Sequence, residues 1–363
     1  MSGRIILFGA TGYTGELTAR SLVAAGEQPV LAARSLDRVA SLASQLGGLT
    51  TAIADVTDPG SIRALLNPGD VLVTTVGPFA KLGRPALDAA IAAKAHYVDS
   101  TGEPAWIREV FSRSAEIETA GIAALTAFGY DYVPGNLAAG IALDRSGSEA
   151  TSVDVGYFFK GGFGASGGTK ASLAGALLTP GHVWQDGQLK ETRGAQTERS
   201  FNTTAGKKVG LAIGSSEHFA IPRYAPQVTD VGAYLGWFGN NTAPARYGSA
   251  AISAITRLPG AQSALGAVLS RAVKGSTGGP DADERAKSRS LAIAEAKASD
   301  GRVLERVELE GPNGYDLTAS FLAWAGTQLA KASPHATGAI GPVEVFGLQA
   351  LVDGCAAAGL NEV

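Results

Sequence analysis

A seven-residue turn, Gly9-Ala10-Thr11-Gly12-Tyr13-Thr14-Gly15, follows the apolar run Arg4-Ile5-Ile6-Leu7-Phe8, and a helical pattern from Glu16 to Ala25 follows the turn. Strand, glycine turn and helix in that order form the setting of a dinucleotide-binding fingerprint. Gly9 permits the tight turn, Gly12 lets backbone N–H groups approach a pyrophosphate, and Gly15 lets the helix sit close on the sheet. Thr11, Tyr13 and Thr14 complete the cradle, and the helix N-terminus supplies positive potential for the phosphates. The spacing is G-x-x-G-x-x-G rather than G-x-G-x-x-G, so the strand and helix on either side carry the reading.

The tip of the second strand indicates which nucleotide is bound. Pro29-Val30-Leu31-Ala32-Ala33 ends at Arg34-Ser35-Leu36-Asp37-Arg38, where an acidic residue about 20 positions past the glycines would hold the ribose 2′-OH of NAD. Arg34, Ser35 and Arg38 stand there instead. Two guanidinium groups and a hydroxyl suit a 2′-phosphate, so NADP(H) is the expected cofactor. Asp37 falls in the first turn of the next helix, where acids complement the helix dipole.

Further β–α units follow. Thr51 to Asp55 reads as a short strand with Asp55 at the adenine edge, and Asp70 to Val76 as a buried parallel strand. Its exit loop, Val76-Gly77-Pro78, is expected beneath the nicotinamide half, because ligands of such sheets lie at the C-terminal ends of the strands. His96 to Asp99 and Ile122 to Thr126 supply two more strands. The implied fold class is α/β: a Rossmann-type doubly wound parallel sheet plus a second α/β domain with a mixed or antiparallel sheet. Asp300-Gly301, between two alternating stretches, is the hairpin signal for that second sheet.

Five segments carry a family resemblance: GATGYTG at 9–15, VGPFAKLG at 76–83, YVDSTGE at 97–103, GYDYVPGNL at 129–137 and GPDADERAKSR at 279–289. The chain resembles the saccharopine dehydrogenase-like NAD(P)-dependent oxidoreductases, in particular the branch of the trans-acting enoyl reductases. That resemblance implies an NADP-binding domain at 1–133, rejoined by a C-terminal segment at 338–363, and a substrate or oligomerisation domain at 134–337. It also implies hydride transfer from NADPH to an activated C=C bond of an enoyl thioester or α,β-unsaturated carbonyl. Reduction of a C=N bond, as in saccharopine-type chemistry, and a non-catalytic NADP-binding sensor or scaffold are the alternatives. One departure is plain: the family often shows Phe-Asp-Ser after the sixth strand's glycine, whereas this chain has Tyr130-Asp131-Tyr132.

Hydride transfer also needs a proton donor. Tyr130 and Tyr132, past the sixth strand, are candidates, as is Lys170 beside the glycine-rich stretch 161–168, although a domain-boundary tyrosine is as commonly a packing residue. An apolar acceptor is expected because 156–184 and 231–238 hold Tyr157, Phe158, Phe159, Phe163, Trp184, Tyr234, Trp237 and Phe238 but no arginine. Gly164-Ala165-Ser166-Gly167-Gly168 matches a hydrolase nucleophile elbow, but that elbow belongs on the central parallel sheet, already spent on a nucleotide. No tyrosine has lysine four residues on, which excludes the short-chain reductase pattern.

The 363 residues exceed what one core usually holds, hence two domains. A net charge of −3 gives no electrostatic case for nucleic acid. Cys355 stands alone, and His96, His182, His218 and His335 are too scattered for a local metal motif, so no metal is expected. The first strand begins at Arg4, which leaves no room for a signal peptide, and no long apolar run lacks a charge; a cytoplasmic enzyme is expected. Two basic, helix-patterned segments at 244–273 suit a lipid-like contact, or, as is more usual for such pairs, packing on their own domain or on a dimer mate.

Overall fold

The structure, a computed structural model, describes residues 3–161, 181–236 and 278–363. The chain divides into two units. The first takes Met1–Thr101, Trp106–Asp131 and Gly314–Gly347, and the second takes Gly102–Ala105, Tyr132–Asn313 and Leu348–Val363.

In the first unit every residue of β1 (Ile5–Phe8) is buried, as a central parallel strand covered on both faces requires. It pairs in parallel with β2 (Val30–Ala33) on one side and β4 (Val71–Thr74) on the other. β3 (Thr51–Ile53), β5 (His96–Asp99), β6 (Ala123–Leu125) and a short strand Gly338–Ala339 complete a sheet of order 3-2-1-4-5-6 with the late strand beyond β6. The order reverses direction between β1 and β4, the place where doubly wound sheets bind ligands. Helix α1 (Tyr13–Ala24) packs against a helix from much later in the chain, Gly314–Lys331, which the sequence pattern did not reveal. Gly326 of that helix brings its backbone onto the sheet: a Cβ there would lie 3.2 Å from Val73 Cγ2 and 3.5 Å from Ile5 Cγ2.

The second unit is built on a mixed sheet. β7 (Ser152–Lys160) runs parallel to β12 (Asp230–Leu235) and antiparallel to β13 (Arg289–Lys297). β13 turns through Asp300-Gly301, with Gly301 at φ +86°, into β14 (Val303–Gly311), the hairpin read from the sequence. β8 (Gly181–Gln185) and β9 (Gln188–Thr192) form a second hairpin attached to β12. α3 (Val133–Ser146) packs on β7, β13 and β14.

The hairpin of β10 (Glu198–Thr203) and β11 (Gly206–Ala212) folds over the sheet face. Phe201 packs with Phe158, Leu291 and Ile293, and Thr204 N donates to Glu308 Oε1 at 2.9 Å. Arg199 pairs with Asp154 at 2.5 Å and with Glu295 at 2.6 Å, and lies over the Phe201 ring at 5.1 Å.

The stretch 345–358, which reads as one helix, is interrupted by Gly347 at φ +80°, separating Pro342–Phe346 from Leu348–Ala357. The segment expected to rejoin the first unit, 338–363, divides at that glycine. Residues 338–347 lie in the first unit; Leu348–Ala357 packs on α3, and the strand Asn361–Glu362 pairs with β14 in the second. Residues 164–168, 169–178 and 244–273, read as an elbow-like loop, a helix and a helix pair, lie outside the described residues. Among the described residues no helix is long and apolar enough to cross a membrane.

Candidate nucleotide-binding site

Gly9 stands at φ +90°, and a Cβ there would press within 2.8 Å of Thr75 Oγ1 and Val76 Cγ2. A Cβ at Gly15 would overlap the Gly9 carbonyl oxygen. Both glycines are demanded by the fold itself. Gly12 is different: its φ of −81° is open to any residue, and a Cβ would come no nearer than 3.3 Å to the Gly9 carbonyl oxygen. Its missing side chain leaves the start of α1 approachable from outside, and α1 has no side-chain cap. An uncapped N-terminus behind a bare turn fits a pyrophosphate. The Tyr13 ring packs edge-on against Tyr315 at 5.1 Å, and the Thr14 carbonyl accepts from Thr18 Oγ1 at 2.8 Å.

The loop after β4 meets the turn. Thr75 N donates to the Phe8 carbonyl at 3.0 Å and Thr75 Oγ1 to the Gly9 carbonyl at 3.2 Å, while Val76 N donates to Thr74 Oγ1 at 3.3 Å. Gly77 follows, and Pro78 begins the short helix Phe79–Leu82. Both exits of the sheet's reversal point, Gly9–Gly15 and Val76–Pro78, thus sit side by side. Thr75, which fastens them together, was not singled out from the sequence, because its hydroxyl looks like any strand-end threonine.

At the tip of β2, Arg34 is exposed. Ser35 caps α2 (Leu36–Gln45), its Oγ accepting from Arg38 N at 3.4 Å. Arg38 Nη2 donates to the Thr11 carbonyl at 2.8 Å. The Asp55 carboxylate accepts from Thr57 N at 2.8 Å and Thr57 Oγ1 at 2.9 Å; these bonds, with the nearby charge of Arg34, hold its pKa below the usual carboxylate range. Leu36 and Ile53, 59% and 45% exposed, stand at the ends of α2 and β3. The residues present fit a nucleotide carrying a 2′-phosphate: Arg34 and Ser35 would hold that group, and the turn would hold the pyrophosphate.

Asp99, at the end of β5, accepts from Tyr97 OH at 2.9 Å, Trp106 Nε1 at 2.8 Å, Thr101 N at 3.0 Å, Thr126 Oγ1 at 3.0 Å and Ala127 N at 2.9 Å. Burial raises its pKa against the pull of these bonds. It ties together the exits of β5 and β6.

The proposed proton donors are placed differently. Tyr130, in the first unit, is 4% exposed and its N–H donates to Thr318 Oγ1 at 3.0 Å. Tyr132, in the second, is fully buried, its ring edge-on to Tyr157 at 5.5 Å. Lys170 lies outside the described residues. Of the aromatic residues expected to line an apolar cleft, Tyr157 and Phe158 are core, and Trp184 Nε1 donates to the Val228 carbonyl at 3.0 Å. Phe163, Trp237 and Phe238 lie outside the described residues. His182 is a buried structural residue, with Nε2 2.9 Å from the Ser215 carbonyl.

A buried polar cluster in the second unit escaped sequence reasoning. Glu217, at the start of α4 (Glu217–Tyr224), shares a short hydrogen bond with Tyr157 OH, which also approaches the Tyr132 carbonyl at 3.2 Å. Among the described residues Glu217 Oε2 has no hydrogen-bond partner, and burial pushes the Glu217 pKa up to about 7. Asn136 Nδ2 donates to the Tyr132 carbonyl at 2.8 Å and to Ser216 Oγ at 3.1 Å. A Cβ at Gly135 would overlap the Tyr157 hydroxyl and lie 2.5 Å from Glu217 Oε1, so the glycine of the VPGN run makes room for this cluster.

Residues 5–125 match the family model of the saccharopine dehydrogenase NADP-binding domain. A Mycobacterium tuberculosis protein provisionally named a trans-acting enoyl reductase is 37% identical over 189 residues, which are 48% of this chain and 44% of that protein. The trans-acting enoyl reductase of Mycobacterium leprae is 30% identical over 187 residues, with the same coverage of 48% and 44%. Each match spans less than half of the relative's own length. Saccharopine dehydrogenase (L-Glu forming) from Saccharomyces cerevisiae shares the fold with a TM-score of 0.62 over 99% of both chains, at 15% identity. Residues 5–125 are therefore similar to the saccharopine dehydrogenase NADP-binding domain, and the chain shares the fold of saccharopine dehydrogenase.

Proposed function

We propose that the chain is an NADPH-dependent reductase acting on an activated C=C bond, in an enoyl thioester or an α,β-unsaturated carbonyl. The observation that carries the reading is the bare, uncapped turn at Gly12, set where the parallel sheet reverses and adjoining the Val76–Pro78 loop. The names of the mycobacterial relatives support the class of acceptor. Bound NADPH supplies the hydride. The chain's residues bind and orient: the turn and the α1 amides hold the pyrophosphate, Arg34 and Ser35 grip the 2′-phosphate, Asp55 faces the adenine edge, and Val76, Gly77 and Pro78 support the nicotinamide half. The second unit carries the substrate, and Tyr130, Tyr132 and Lys170 are the candidates for returning a proton to the reduced acceptor.

The test is NADPH consumption against enones, enoyl thioesters and cyclic imines. Turnover of the first two classes with reduced product recovered supports the proposal. Turnover of imines alone replaces it with C=N reduction, and tight NADPH binding with no turnover of any class replaces it with a sensing or scaffold role.

A further inference from the structure

The peptide unit joining Thr11 to Gly12 is held at both of its polar ends. Its carbonyl oxygen accepts from Arg38 Nη2 at 2.8 Å, and its N–H donates to the Gly9 carbonyl at 2.9 Å. Arg38 is the third residue of α2, and its own N–H is directed to Ser35 Oγ, which fixes where the helix begins and so where the guanidinium reaches. The clamped plane immediately precedes Tyr13, Thr14 and Gly15, the first residues of α1.

We infer that Arg38 is a positioning residue of the phosphate turn: it locks the 11–12 peptide plane so that the α1 amides are set for a pyrophosphate before the nucleotide arrives, and selection of the 2′-phosphate falls to Arg34 and Ser35. This rests on the NADPH reading above. A guanidinium spent on a backbone carbonyl within the turn serves every nucleotide the turn accepts, whether or not it carries a 2′-phosphate. Its effect therefore has a distinct pattern across ligands.

The experiment titrates NADPH, NADH and ADP into the wild type, Arg38→Ala, Arg38→Gln and Arg34→Ala, following fluorescence or heat, and records the melting temperature of each nucleotide-free protein. ADP carries the pyrophosphate without the 2′-phosphate or the nicotinamide. The expected result is that both Arg38 variants weaken all three ligands by a common factor, on the order of tenfold to a hundredfold for one charge-assisted bond. Their ratio of NADPH to NADH affinity is unchanged, and their nucleotide-free melting matches the wild type because Arg38 is exposed. Arg34→Ala weakens NADPH alone. A loss confined to NADPH in the Arg38 variants, or no loss for any ligand, overturns the inference. A wild type that binds none of the three overturns the cofactor reading itself.

Discussion

Glu217→Gln isolates a buried carboxyl whose pKa burial raises. The Tyr157 hydroxyl reaches Glu217 Oε1 and lies 3.2 Å from the Tyr132 carbonyl. Tyr157 OH donates to Glu217 Oε1 in a short bond, and its approach to the Tyr132 carbonyl, which already accepts from Asn136 Nδ2, is the longer contact. Burial pushes the Glu217 pKa up to about 7 from the ordinary 4.5, against the pull of the Tyr157 bond. The native state thus keeps a proton that the unfolded chain releases once the pH passes 4.5. By linkage, this group's contribution to stability is complete below the unfolded value. It declines as the pH rises toward 7 and is lost above it, a fall of about 3 kcal/mol. Glutamine keeps an acceptor oxygen for Tyr157 and cannot ionise. Urea unfolding of wild type and variant, followed by circular dichroism from about pH 4.5 to about pH 8, should show the variant gaining about 3 kcal/mol on the wild type across the range. Taking the difference cancels His96 and His218, whose pKa values burial lowers and which titrate in both proteins. Parallel curves for the two proteins would refute the reasoning, because they would mean that Glu217 does not change its charge there.

Gly12→Val should abolish binding of NADPH and NADH alike while the nucleotide-free protein still folds, since the φ of −81° suits any residue and a Cβ meets only the Gly9 carbonyl oxygen, at 3.3 Å; normal binding in titration would place the cofactor elsewhere. Arg34→Ala should cost about 1–3 kcal/mol of NADPH affinity and spare NADH, and equal losses would sink the assignment of the 2′-phosphate. Gly135→Ala forces a methyl onto the Tyr157 hydroxyl and should destabilise the protein by about 1–3 kcal/mol in urea unfolding, with an unchanged midpoint counting against the packing described.

Local chemistry made the first unit's nucleotide edge legible. A buried apolar run, a positive-φ glycine and a cap serine are written in neighbouring residues, and the Asp300-Gly301 hairpin was legible for the same reason. What depended on return of the chain was not. Gly314–Lys331 carries a helical pattern that names no partner, and its place on β4 and α1 depends on Gly326 meeting Val73. Ser215-Ser216-Glu217-His218 looks like a solvated loop, yet all four residues are buried, because Tyr157 and Asn136 arrive from distant strands and helices to satisfy them. Arg38 was legible as a cation just past the tip of β2, but its bond to Thr11 spans 27 positions and no spacing rule signals it.

The late helix has a consequence for how the chain is made. A ribosome delivers β1 to β6 first, yet Ile5 and Val73 meet the backbone of Gly326 only after β7 to β14 of the second unit have been synthesised. The nascent sheet therefore waits with one apolar flank uncovered through the longest part of translation, the kind of interval in which chaperones engage exposed strands. A chain stalled or cut before residue 314 would hold every element of the glycine turn and still lack the helix that shields it.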